Sequence, residues 1–562
     1  MTILLKGGSI VNVFSNEILR ADVLISDNKI IGVGDYSTHQ ADSIVDLTGK
    51  FLCPGLIDGH IHIESTMMLP YELSKACLPC GTTTIIADPH EIANVCGKDG
   101  INFMIEQSKG LPFDVFFMLP SCVPATNFDE TGAKLDATDL NEFYSHPRVL
   151  GLAEMMNYVG VCKNDDSVMA KIEYAKQNKK IINGHAPLLC GKDLDKYISV
   201  GIQDDHECSN FDEALEKLRK GQKIMIRQGS TAKNLISLLP LFDSNFADRC
   251  MLVSDDKHPS DFLEYGHIDS SIRLAIKNGK NIISAIKMAT IVPAQHFGLS
   301  NLGAIAPGYS ADIVVFDSTE NFNVLNVYKN GKLVVNNGKV VDYDRPQVSQ
   351  NLLEVVKNSV HVSDFDAKDF FVTPSNKKAR VIKLIKNDLI SEEFLTTLDF
   401  TNNNGIDISN DITKIAVIER HKGTGHIGLG YVKGIGLKKG AIASTVAHDS
   451  HNLIVIGAND NDMAVACNHI SKMGGGCICV CDGKVIGSLP LPIAGLMTEL
   501  SAQETASLHD KLIKSVRELG VPEDISPFMA MAFLSLPVIP FLKLTTLGLI
   551  DVVNQKIIDL FE

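Results

Sequence analysis

The stretch Leu56–Thr66 reads LIDGHIHIEST. His60 and His62 stand two residues apart, and Glu64 follows at the same interval. Along a strand, residues i and i+2 face the same side, so both imidazoles can reach one metal ion, with Glu64 as a third donor of the same spacing. An apolar run ending in ligand-type residues is therefore the pattern to follow along the chain.

Seven further runs repeat it: TTTIIADPHE (82–91), VFFMLPSC (115–122), VLGLAEMMN (149–157), KIINGHAP (180–187), GIQDDHEC (201–208), KIMIRQGS (223–230) and CMLVSDDKH (250–258). Helical stretches alternate with them. In one, Asn210 is placed to cap, Glu213 stands at the third helical position, Phe211, Ala214, Leu215 and Leu218 form an apolar stripe, and Gly221 ends the helix. Eight such units predict a (β/α)8 barrel over residues 51–299, an α/β fold of the TIM type. His60, His62, His90, Glu91, Glu154, His185, His206 and Asp255 then all project at its C-terminal mouth, where this fold builds its active site.

Residues 1–50 alternate short β-rich runs with turns, and LGAIAPGYSADIVVFD and VLNVYKNGKLVV restore that rhythm within 300–350. The two flanks are expected to form one small β-sandwich domain. From 360 to 562 a C-terminal α+β domain is expected, with a strand at 414–420, a helix near 462–473 stopped by Gly474, and a hairpin turning at Asp482 and Gly483.

A pair of cations held by four histidines and Asp255 needs an anionic bridge; no lysine lies between Val149 and Asn157 to be carbamylated, which leaves Glu154 as the bridge candidate. Asp255 or Asp256 can shuttle a proton between a metal-bound water and a leaving group. His90 and Glu91 are candidate catalytic groups. Arg227, Gln228 and Ser230 can hydrogen-bond a substrate at the mouth. With Asp255 and Glu154 available as ligands, Glu64 is better placed on the substrate side than on a metal. His448, Asp449 and His451, in TVAHDSHN, form a possible lid or accessory metal site. A rival H-x-E plus C-x-x-C reading, His62 and Glu64 with Cys77 and Cys80, fits poorly, because Ala76 stands where that deaminase pattern needs proline.

Composition narrows the class. The 562 residues carry 52 Lys and Arg against 67 Asp and Glu, a net charge of −15, with no basic run interleaved with aromatics. Neither nucleic acid nor an anionic membrane is expected as a partner. The N-terminus does not read as a signal peptide, and Pro527–Leu542 is too short and proline-rich to span a bilayer. Thirteen scattered cysteines suit free thiols in a reducing cytoplasm. A homo-oligomer is expected.

The chain resembles the amidohydrolase superfamily through PGLIDGHIH at the start of the barrel and ATIVPAQHFGL at its close. Within it the chain resembles the adenine deaminase family, through DGHIHIESTMM, GTTTIIADPHEIANV, GLAEMMNYVGV, HDSHNLIVIGAND and PLPIAGLM. The resemblance implies hydrolysis of adenine to hypoxanthine and ammonia in purine salvage. It places His60, His62 and Asp255 on one ion and His185 and His206 on a second, with Glu154 between them. It implies two divalent ions, manganese or ferrous iron, with zinc chemically compatible. Adenosine deaminases place a glutamate just after the strand-five histidine to protonate N1, and GHAPLLCG offers none; Glu91 and Glu207 are the candidates to replace it. The alternatives are another amidohydrolase, such as an N-acetyl-sugar deacetylase, and a silent metal-binding barrel.

Overall fold

A computed structural model describes residues 1–385, 390–401 and 403–562. The eight expected barrel strands are present: Leu56–Ile61, Thr82–Ala87, Asp114–Leu119, Val149–Met155, Ile181–Gly184, Asp204–Asp205, Lys223–Arg227 and Cys250–Val253, numbered one to eight below. Strands one to five pair in parallel, as do strands six to eight. Two joints close the ring. Gln203 N donates to Ile182 O between strands five and six, and Asp255 N donates to His60 O at 3.0 Å between strands eight and one. The joint at strands five and six depends on Gly184, where a Cβ would stand 2.2 Å from Asp204 O.

Helices connect the strands. The capped helix expected after Asn210 spans Phe211–Arg219, and the Asn210 side chain accepts from Glu213 N. The helix His90–Gln107 is broken at Gly97, which has φ +57°. A short first segment therefore carries His90 and Glu91 on the barrel rim.

The two flanks meet in one continuous nine-stranded sheet rather than two separate layers of hydrogen-bonded strands. Strand Phe51–Pro54 pairs antiparallel with Ile313–Phe316, so the sheet runs into the chain four residues beyond residue 50.

The C-terminal region forms an eight-stranded sheet. Helix Asp460–Met473 contributes to the apolar cluster on one face, and Ala502–Glu518 to that on the other. Gly474 ends the first helix in the left-handed region. The hairpin Gly476–Cys481 to Lys484–Pro490 turns at Asp482 and Gly483, both at positive φ. This domain packs against the barrel mouth. Ile493, Leu496 and Met497 belong to the apolar cluster that fills one side of the barrel, and Thr498 N donates to Met67 O. No helix among the described residues is long and apolar enough to cross a membrane.

Candidate active site

The mouth residues sit where their strands end, and local carboxylates aim them. Asp58, fully buried on strand one, accepts from His60 N and Ser254 N, which ties the first strand to the eighth. Asp204 accepts from Asn183 Nδ2 and Gly184 N. Asp205 accepts from Ala186 N and the buried Lys217 ammonium. These two pins fix strand six and thereby His206. Asp255 stands in the left-handed region at φ +58°, a conformation that costs most side chains energy and that Asp and Asn tolerate best.

Two groups of donors converge. His60, His62 and Asp255 form one, with His62 Nε2 3.1 Å and His60 Nε2 3.6 Å from Asp255 Oδ1. His185 Nδ1 and His206 Nε2 form the other, 2.7 and 3.0 Å from Glu154 Oε2. Glu154 Oε1 faces the first group, 3.4 Å from His62 Nε2. The carboxylate thus lies between the two sets, as a bridge requires. His60 Nε2 is buried without a hydrogen-bond partner among the described residues. Buried polar atoms are rarely left so, and the imidazole and carboxylate set suits divalent ions. These residues fit a two-cation centre.

The charges follow from the packing. Burial pushes the Asp255 carboxyl up, but His60, His62 and Arg227 outweigh it and hold it well below the usual carboxylate range. Glu154 is held low by His185 and His206 against the same burial. Burial pushes His206 down, while Glu154 and Glu207 bring it up to about 9.

Arg227 donates to both oxygens of Glu207 and, at 2.9 Å, to Asp255 Oδ2. That double contact engages both Glu207 oxygens as acceptors. Glu91 differs. Its Oε1 lies 2.9 Å from Ser65 Oγ, which also lies 2.5 Å from Asp256 Oδ1. A hydroxyl has one hydrogen to give, so Ser65 cannot donate to both oxygens at once. Burial, with Glu64 and Asp256 adding to it, pushes Glu91 well above the usual carboxylate range. His451 faces its other oxygen, Nε2 to Oε2 being 3.4 Å.

The remaining expected residues divide. Glu64 accepts from Ile92 N at the start of the His90 helix and so supports the rim. Ser230 Oγ donates to Asp261 and accepts from His258 N, which commits it to holding its own loop. Gln228 Oε1 is buried without a partner among the described residues. His90 lies between Asp88, 3.0 Å from Nδ1, and Asp449, 3.6 Å from Nε2. His448, Asp449 and His451 are all buried, so the C-terminal domain does reach the mouth. Cys77 packs in the core and Cys80 donates back to Ala76 O, as packing residues do. Sequence reasoning passed over Asp88, Ser65 and Cys122. Only Asp88 left a signal, the alternate spacing Asp88-x-His90.

The amidohydrolase family model matches residues 51–334, and the model described as the adenine deaminase C-terminal domain matches 388–556. A relative from Carboxydothermus hydrogenoformans named adenine deaminase 2 is 44% identical over 99% of this chain and 96% of its own. The chain belongs to the adenine deaminase family. An adenine deaminase from Desulfatibacillum aliphaticivorans is 46% identical, covering 100% of this chain and 97% of that one. Among solved structures, a dihydropyrimidinase from Brevibacillus agri NCHU1002 aligns with a TM-score of 0.49 and 17% identity, over 61% of this chain and 96% of that chain. Membership accounts for both the barrel and the added C-terminal domain, which the family's two models cover in turn.

Proposed function

We propose that the chain hydrolyses adenine to hypoxanthine and ammonia, as its relatives' names describe, using two divalent cations held by His60, His62, Asp255, His185, His206 and Glu154. The observation that carries the reading is the convergence of these six side chains from five barrel strands, with Glu154 between the two sets. The cations, when bound, lower the pKa of water so that hydroxide is available near neutral pH. Manganese or ferrous iron suits the mixed donor set.

The rest of the chemistry belongs to the side chains. Asp255, kept anionic, takes a proton as water adds to C6 of the purine and returns it to the exocyclic nitrogen, which leaves as ammonia. Glu91, buried and protonated, donates to N1 as C6 becomes tetrahedral, so that charge does not build on the ring. Arg227 fixes the Asp255 carboxylate while it does this. All thirteen cysteines are free, which is in keeping with a reducing cytoplasm.

The test is ammonia release from adenine by protein loaded with manganese or ferrous iron, beside acetate release from N-acetyl sugars. Turnover of adenine is expected; its absence in fully loaded protein would overturn the assignment.

A further inference from the structure

Two more groups of buried donors lie beside the centre just described, and both join the barrel to the C-terminal domain. One is Glu91 with His448 and His451; the other is His90 with Cys122 and Asp449. The hydrogen bonds separate them. Ala447 N donates to His451 Nδ1, so the neutral imidazole carries its hydrogen on Nε2, the atom that faces Glu91. That ring has no lone pair to offer a cation there.

His90 is arranged the other way. Its Nδ1 lies 3.0 Å from Asp88 Oδ2. A carboxylate taking the N–H of one ring nitrogen is the arrangement that orients a metal-binding histidine and leaves the other nitrogen's lone pair exposed. The exposed Nε2 stands 3.6 Å from Asp449 Oδ1, too far for a hydrogen bond. It is close to the roughly 3.4 Å that a tetrahedral ion with bonds of about 2.0–2.1 Å imposes on two donors. The Cys122 thiol completes the group, all three ligand atoms lying within 4.8 Å of one another. The three residues are buried, and Asp449 Oδ2 has no hydrogen-bond partner among the described residues. Asn94 Nδ2 donates to both His90 O and Cys122 O, which ties the start of the His90 helix to the loop after strand three.

We propose that His90, Cys122 and Asp449 bind a third divalent cation, of the borderline-soft class typified by zinc, which clamps the C-terminal domain onto the barrel rim beside the two-cation centre. The sulfur donor distinguishes it, since the other centre offers only imidazole and carboxylate. Binding releases the Cys122 proton to solvent and forms a metal–thiolate bond.

The test uses full-length protein stripped of metal and reloaded with cobalt(II) under reducing conditions, with metal content and the near-ultraviolet thiolate-to-cobalt absorption read on the same sample. The wild-type chain is expected to take up a third equivalent and to show the thiolate band. C122S is expected to lose the band and that equivalent, and D449N to weaken its uptake. Asp88→Asn, which removes the carboxylate that orients His90, is expected to weaken it about 10–100-fold. A wild-type spectrum with no thiolate band overturns the proposal without reference to any variant. So does a C122S protein that keeps its third equivalent.

Discussion

At the scale of single residues, Asp255 combines three demands: a left-handed backbone, contacts to two histidines, and an anion beside Arg227. Asn tolerates the same backbone conformation and has the same shape, so Asp255→Asn keeps the fold of the loop while removing the carboxylate that would serve as shuttle and ligand. Its kcat on adenine is expected to fall about 10²–10⁴-fold, the usual worth of a positioned acid–base group, a far larger effect than the drop in melting temperature, since Arg227 keeps Glu207 as a partner. Asp255→Ala adds backbone strain of roughly 1–3 kcal/mol and should also melt earlier. A near-normal rate in either variant would remove Asp255 as the shuttle. For Glu91→Gln, the amide oxygen can still accept from Ser65 Oγ, but the amide cannot give up a proton to N1. A kcat loss of about 10²-fold or more is expected, with KM for adenine little changed. Steady-state rates on metal-matched samples decide it, and an unchanged kcat would pass the N1 proton to another group.

Between elements, the strand-six histidine is aimed from behind by a charge pair. Lys217, on helix Phe211–Arg219, is fully buried and donates to Asp205 Oδ1 at 2.9 Å, Glu213 Oε1 at 3.0 Å and Ala186 O at 2.7 Å. Removing one partner of a buried pair strands the other charge. Lys217→Met should therefore destabilise the fold by about 3–5 kcal/mol in urea denaturation, and His206 should lose its setting with it. A loss below about 1 kcal/mol would mean that Asp205 is satisfied without the lysine. The pin and its lysine were invisible in the sequence, where DDHE showed one histidine and three undifferentiated acids. Which acid ligates, which pairs and which holds backbone depends on the direction each faces once strands five and six are side by side.

For the whole molecule, the joint between barrel and C-terminal domain holds two facing histidines, His258 and His509, that burial pushes down. His258 on the barrel side packs against His509 of helix Ala502–Glu518, ring centroids 5.2 Å apart. Burial, with His509, His448 and Lys233 adding to it, pushes His258 down to about 3. A histidine whose folded pKa is depressed leaves stability intact above its unfolded value of about 6.5; as pH falls below that, the unfolded chain takes up a proton that the folded chain does not. Stability is thus lost between about pH 6.5 and the folded value, by about 2 kcal/mol at pH 5 for this group alone. Melting temperature and proteolysis of the C-terminal domain should both report it, and His258→Gln should flatten the melting temperature's decline between pH 7 and 5. An identical decline in that variant would assign the acid sensitivity elsewhere. The alternation of apolar runs with helical stretches determined the barrel by itself, because strand and helix periodicities are local properties of the chain. The ligand types at the strand ends likewise placed His60, His62, Glu154, His185, His206 and Asp255 at one mouth. Only the tertiary structure decided which groups Glu91, Glu207, Cys122 and Asp449 face. Their neighbours come from other strands or from a domain hundreds of residues away, and the charge, proton and lone pair of a buried group are set by what packs against it.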